Sequence, residues 1–208
     1  GKIGHTGIDN NIQKMSSTVL SHHLEALQQN GVHNAAIIIT DLKKGKVVCY
    51  IGNSFSRGNE FNNQVDCANA KRSTGSILKP ILYAKSLEEG VIMPTAILPD
   101  IPSFFGSFNP KNYNKTYDGA VPANECLIRS LNIPMVYLLN QYGVGKFQYE
   151  LKNAGFNAIQ KSKNYGLSLI LGGAEVSLME LNKVYSNMAL TLLNKKQKKI
   201  SLFQNQTN

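Results

Sequence analysis

Long apolar runs, a cysteine framework and internal repeats are all missing from this 208-residue chain. No stretch approaches about eighteen consecutive apolar residues, so none reads as a membrane-spanning helix. The cysteines, Cys49, Cys67 and Cys126, are odd in number and far apart. That fits neither a disulfide framework nor a metal site, and Cys49, inside an apolar strand-like run, reads as buried packing. His22 and His23 have no cysteine or acidic partner at metal spacing, so no metal is expected and no cofactor is implied. The opening GKIGHTGIDNN has no apolar h-region and does not read as a signal peptide. Acid is scarce: 13 Asp and Glu stand against 22 Lys and Arg, for a net charge of +9. Such a balance suits nucleic acid, an anionic membrane surface or an acidic polymer. No RNA-binding aromatic motif, helix-turn-helix glycine pattern or zinc spacing accompanies it, so nucleic acid is not expected as a partner. The basic run NKKQKK at 194–199 reads as a solvated face or tail.

What is present is ordinary for a folded domain: 42% hydrophobic and 17% charged residues, in a chain long enough to bury a real core. Ile12, Met15, Val19, Leu20, Leu24 and Leu27 recur at helical spacing, predicting a helix over 10–30 closed by Gly31. AAIIIT and KVVCYI flank the glycine-bearing DLKKGK, which predicts a β-hairpin. Residues 52–75, rich in Gly, Asn and Ser, read as an irregular connection. A helix is expected over 76–89, stopped by Gly90. Residues 91–121 are rich in proline and aromatics and read as an ordered surface loop region. Short helices follow at about 123–130, 134–142 and 144–154, and a longer one at 175–193. A hairpin among many helices is an α+β pattern.

The chemically suggestive stretch is KRSTGSILKP, residues 71–80. A serine hydroxyl is a weak nucleophile at neutral pH and needs a base within hydrogen-bond reach. Residues i and i+3 of a helix share a face, so Ser76 and Lys79 can approach one another. At a helix start the positive end of the dipole favours a developing anion, and an unpaired N–H can form half of an oxyanion hole. Lys79 would act as base only with a lowered pKa. The bland reading is a serine N-cap followed by an exposed lysine. A companion Ser-x-Asn pattern occurs three times, at 107–109, 130–132 and 162–164. Only Ser130–Leu131–Asn132 lies between two expected helices, with Pro134 near a helix start.

Taken together these stretches resemble penicillin-binding transpeptidases. RSTGSILKPILYAKSLEEGVIMP is similar to their first active-site motif and SLNIP to their second. FNNQVDCANAKRS, NPKNYNKTYDGAVP and YGLSLILGGAEVSLMEL resemble the bifunctional class A group, and the likeness runs with gaps from about Ile8 to Leu193. The resemblance implies the α+β penicillin-binding transpeptidase / serine β-lactamase-like fold, a helical cluster on an antiparallel sheet, and a D,D-transpeptidase that cross-links peptidoglycan stem peptides and is acylated by β-lactams. Carried over, Ser76 is the nucleophile and Lys79 its base or proton carrier, an assignment disputed in related serine enzymes. Ser130 relays a proton to the leaving amine, and Asn132 holds Lys79 and the substrate amide. The resemblance also implies a periplasmic or extracytoplasmic site in a protein anchored to the inner membrane. Gly172 and Gly173 lack the Gly-Lys-Ser/Thr ending of a phosphate loop and read as the turn into a helix. Tyr113 and Tyr117 read either as lining the cleft or as surface packing.

The chain departs from the family in places. No Lys-Thr-Gly follows Asn132; the variant His-Thr-Gly at 5–7 precedes the nucleophile. Thr74 stands where the family usually has proline, and Ile77 where it often has threonine. Residues 1–208 are therefore read as a partial transpeptidase domain without the glycosyltransferase domain, membrane anchor and Lys-Thr-Gly strand, either cut from a longer protein or naturally shortened, and weakly active or inactive as it stands. Other readings are a penicillin-sensing domain, a serine β-lactamase, for which no deacylating group is identified, and a degenerate fragment that keeps the fold alone.

Overall fold

A computed structural model describes residues 6–54, 61–159 and 165–193. In chain order its elements are α1 (Asn10–Gln28), β1 (Ile37–Asp41), β2 (Lys46–Ile51), β3 (Arg72–Ser73), α2 (Lys79–Glu88), β4 (Ile97–Asp100), β5 (Gly119–Pro122), α3 (Ala123–Ile128), α4 (Asn132–Tyr142), α5 (Val144–Ala154), a 3₁₀ helix (Gly166–Leu171), β6 (Glu175–Val176) and α6 (Leu178–Leu192). Helices with small antiparallel sheets make this α+β. The chain divides into two compact units: residues 1–71 with 176–208, and residues 72–175. The run at 194–199, the Ser-x-Asn at 162–164 and His5 of the His-Thr-Gly variant lie outside the described residues.

In the first unit, α1 begins where Asp9 accepts hydrogen bonds from the Asn11 and Ile12 N–H groups at 2.9 and 3.1 Å, which satisfies two otherwise unpaired donors. Leu20 and Leu24 pack with Cys49 and Ile51 of β2, joined by Ile12, Ala35 and Ile37. Met15 and Val19, counted in the helical periodicity, are 70% and 64% exposed: against a two-stranded sheet the helix buries only one stripe. The hairpin forms as read, Ile37↔Ile51 to Asp41↔Lys46 with one irregularity at Ile39/Thr40. α6 starts at Leu178, not at 175, because Ser177 and Glu180 form a capping box.

In the second unit the core gathers around α4, seven of whose residues are buried: Ile133, Pro134, Met135, Val136, Leu138, Leu139 and Tyr142. Leu78, Leu82, Phe147, Leu151, Phe156, Leu169 and Ile170 are buried in the same unit. Emptying any of these positions to alanine would cost about 2–5 kcal/mol, so α4 is a firm base for whatever sits at its N-terminus. The stretch 91–121 is more ordered than a loop. β4 and β5 pair antiparallel, Ile97↔Pro122 through Asp100↔Gly119. Prolines argue against strands because they cannot donate to a ladder, but a two-stranded sheet has only edges, and Pro99 and Pro122 are accommodated there.

Candidate active site

The serine–lysine stretch forms a tighter structure than a regular helix start. α2 begins at Lys79, not at Ser76. The preceding turn closes by i→i+3 bonds, the Ile77 N–H to the Thr74 carbonyl at 3.0 Å and the Lys79 N–H to the Ser76 carbonyl at 3.1 Å. Pro80 explains this. In an α-helix it would donate to the Ser76 carbonyl, and it has no N–H to give. Ser76 thus sits exposed on a turn before the helix, and among the described residues its N–H has no hydrogen-bond partner. The turn is held from the side by the Gly172–Gly173 segment. The Thr74 N–H donates to the Ala174 carbonyl at 3.0 Å, and the Ser73 hydroxyl donates to the Gly172 carbonyl at 2.8 Å. Gly172 has φ +103°, and a Cβ there would lie 2.5 Å from Ser73 Oγ and 3.0 Å from the Gly75 nitrogen. The pair of glycines therefore closes the 3₁₀ helix against the Ser76 turn; it does not open α6, as its sequence suggested.

Lys79, by contrast, is buried, at 1% exposed. Its ammonium donates to the Ser130 carbonyl at 2.8 Å, to Ser130 Oγ at 3.2 Å and to Asn132 Oδ1 at 2.7 Å. A lysine has three donors, and all three go to this corner. The partners are neutral, and burial lowers the Lys79 pKa to about 8, because an apolar surrounding penalises the charged form. The structure thus brings Lys79, Ser130 and Asn132 into direct contact, with Ser76 on the adjoining turn and outside that hydrogen-bonded group.

The corner itself is a helix-to-helix junction. The Ser130 N–H donates to the Leu127 carbonyl and the Leu131 N–H to the Cys126 carbonyl, both at 3.0 Å, the paired bonds of a Schellman ending to α3. The position that normally takes glycine holds Ser130, at φ +53°. A side chain in the left-handed region costs about 1–2 kcal/mol, and here it aims a hydroxyl at Lys79. Asn132 opens α4, and its Nδ2 donates to the Lys111 carbonyl at 2.8 Å.

A shallow recess of about 210 Å³ lies beside the corner, lined by Asn112, Tyr113, Asn114, Arg129, Ser130 and Leu131. Tyr113 is fully exposed and Tyr117 is 36% exposed; only Tyr113 borders the recess. Arg129 is paired with Asp118. Among the described residues no group of His, Cys, Asp and Glu is placed to hold a metal ion, and no helix is long and apolar enough to cross a membrane. His22 and His23 are exposed on α1. Asp100 and Asn112, both buried, were missed as site residues. Their only sequence signal was that Asn112 falls inside the NPKNYN block.

The chain is similar to known proteins. Residues 35–190 match the family model described as the penicillin binding protein transpeptidase domain. Penicillin-binding protein 1C of Escherichia coli is 34% identical over 177 residues, 82% of this chain and 23% of that protein. Penicillin-binding protein 1F of Bacillus subtilis is 29% identical over 187 residues, 88% of this chain and 25% of that protein. The chain thus spans about a quarter of the length of these curated relatives. The solved structure of the PonA1 protein from Mycobacterium tuberculosis in complex with penicillin V superposes with a TM-score of 0.74 at 19% identity, covering 91% of this chain and 51% of that one. The shared architecture is the penicillin-binding transpeptidase fold.

Proposed function

Because the chain belongs to the penicillin-binding protein transpeptidase family, we propose that it carries the acyl-transfer site of a peptidoglycan D,D-transpeptidase that works through a serine acyl-enzyme. The observation that carries this reading is Lys79: buried, with its pKa lowered to about 8, and one turn from an exposed serine. In the proposed reaction Ser76 Oγ attacks the carbonyl of the penultimate D-Ala of a stem peptide. Its proton passes to neutral Lys79, and the attacking oxygen forms a C–O bond. The C–N bond then breaks, the terminal D-Ala amine leaves with a proton relayed through Ser130, and an ester remains on Ser76. An amine of a second stem attacks that ester, forms the cross-link and returns Ser76 to its hydroxyl. Asn132 keeps Lys79 and the substrate amide in register, and the Ser76 N–H is available to a developing oxyanion. β-Lactams would enter by the same attack. The groups hydrogen-bonded to Lys79 are neutral, with no carboxylate among them to activate a deacylating water, which favours a long-lived adduct over β-lactamase turnover. The site would work on the outer side of the cytoplasmic membrane, where peptidoglycan is assembled.

Intact mass after incubation with a fluorescent penicillin tests this on the parent and on Ser76→Ala. An adduct on the parent alone is expected; an adduct on both, or on another residue, would overturn the assignment. The pH dependence follows from the sign of the lysine shift. A base must be neutral, and with a pKa of about 8 neutral Lys79 grows about tenfold per pH unit up to that point. The acylation rate is expected to climb with pH and level off above about 8.

A further inference from the structure

The N-terminus of α4 is held by a side chain that the mechanism above does not use. A helix start leaves its first N–H groups without intrahelical partners, and here each is accounted for. The Leu131 N–H reaches the Cys126 carbonyl at 3.0 Å. Those of Asn132 and Ile133 both reach Asn112 Oδ1, at 2.9 and 3.4 Å, and Pro134 has none. Leu131, at the N-cap, makes no side-chain cap, so Asn112 supplies one from a distant part of the chain. Asn112 is 3% exposed and cannot rotate freely. Its Nδ2 donates to Asp100 Oδ1 at 2.6 Å and to the Thr116 carbonyl at 3.0 Å. An amide has two donors and one two-lone-pair acceptor; all are in use, and a flip would set an oxygen against a carboxylate. Asp100 is fully buried at the end of β4, with its other oxygen accepting the Asp118 N–H at 3.0 Å.

We propose that Asn112, oriented by the buried Asp100 carboxylate, is a positioning residue that seats the Ser130–Asn132 corner against Lys79. The proposal rests on the reading of Lys79 as proton carrier to Ser76. Asn112 fixes the Asn132 backbone, the neighbouring Lys111 carbonyl fixes the Asn132 amide, and that amide's oxygen receives the Lys79 ammonium. Releasing Asn112 frees the corner, admits water and loosens the seat that keeps Lys79 out of solvent. The side chains that hold Lys79, Ser130 and Asn132, are neutral, so the effect works through burial and not through a lost ion pair.

The swap Asp100→Asn with Asn112→Asp separates positioning from mere packing. Asn112→Asp alone puts two carboxylates face to face. In the swap, residue 100 donates the amide hydrogen and still accepts the Asp118 N–H, and residue 112 still accepts the two α4 N–H groups, but the bond from residue 112 to the Thr116 carbonyl is lost. Each variant is pulsed with an amine-acylating reagent across the pH range, with Lys79 modification read by peptide mass and folding by circular dichroism. The fluorescent-penicillin rate is read in parallel. The parent is expected to show a Lys79 midpoint near 8. In Asn112→Ala the midpoint rises by about one unit or more toward an ordinary lysine, and the acylation rate falls about 10- to 100-fold. Asn112→Asp behaves no better, and the swap recovers both in part, since the bond to the Thr116 carbonyl stays lost. An unchanged Lys79 midpoint in folded Asn112→Ala, or a folded swap that recovers nothing, overturns the proposal. If Asn112→Ala does not fold, the swap against Asn112→Asp decides the same question. A parent with a low Lys79 midpoint and no penicillin adduct would sink the transpeptidase reading while leaving the positioning role standing.

Discussion

Ser130 carries a cost that a purely structural junction would avoid. A Schellman ending favours glycine at the left-handed position, and this one holds a serine at φ +53° whose hydroxyl contacts Lys79 at 3.2 Å. Comparing Ser130→Gly with Ser130→Ala isolates the backbone term, since both lose the hydroxyl. The glycine variant is expected to be more stable by about 1 kcal/mol, seen as a melting temperature about 2–4 °C higher. Both should acylate with penicillin equally slowly. Equal melting temperatures would mean that the strain is relieved elsewhere. Lys79 makes a related point. A motif can place a lysine one turn from a serine, but the lowered pKa comes from burial, and burial belongs to the fold.

The turn at Gly172 and Gly173 works at the level of elements. It ends the 3₁₀ helix and lies against the backbone of Gly75, next to the proposed nucleophile. A methyl at 172 would meet Ser73 Oγ at 2.5 Å and the Gly75 nitrogen at 3.0 Å, on a residue already at φ +103°. Gly172→Ala is therefore expected to destabilise by about 1–3 kcal/mol and to slow acylation by displacing the Ser76 turn. Thermal melts and adduct formation measured together check this. A large loss of stability with unchanged acylation would separate the turn from the site. The β4–β5 pair plays a comparable part, since its last register pair, Asp100↔Gly119, delivers the carboxylate that orients Asn112.

Across the whole molecule, the dominant physical fact is charge. A net +9 creates a field that attracts anionic polymers over the Debye length, which shrinks from about 30 Å at 0.01 M salt to about 8 Å at 0.15 M. Retention of the chain on an immobilised anionic polymer is expected to be strong at low ionic strength and largely lost near physiological salt. Retention that persists would point to contacts other than charge. Such attraction would concentrate the chain near any acidic polymer without choosing its chemistry.

Much of this protein is legible in its residues. The helix expected over 10–30 and found at Asn10–Gln28, the hairpin and α5 follow from periodicity and glycine placement, because each is a local pattern of burial. Ser76, Lys79, Ser130 and Asn132 were identified from motif order and resemblance, and the tertiary structure brings the last three into contact across more than fifty residues of sequence. Other features depended on partners distant in the chain. Whether Met15 and Val19 are buried depends on how wide a surface faces α1. Whether a proline-bearing stretch is a strand depends on its lying at a sheet edge. Asn112 becomes a helix cap only because Asp100 and the α4 N-terminus converge on it. Sequence alone determined the family and the presence of most helices, and it nominated Ser76, Lys79, Ser130 and Asn132, since these rest on short-range pattern and order. Tertiary structure alone decided the burial of Lys79 and the network behind Asn132, since desolvation and hydrogen-bond satisfaction are properties of surroundings and not of residues.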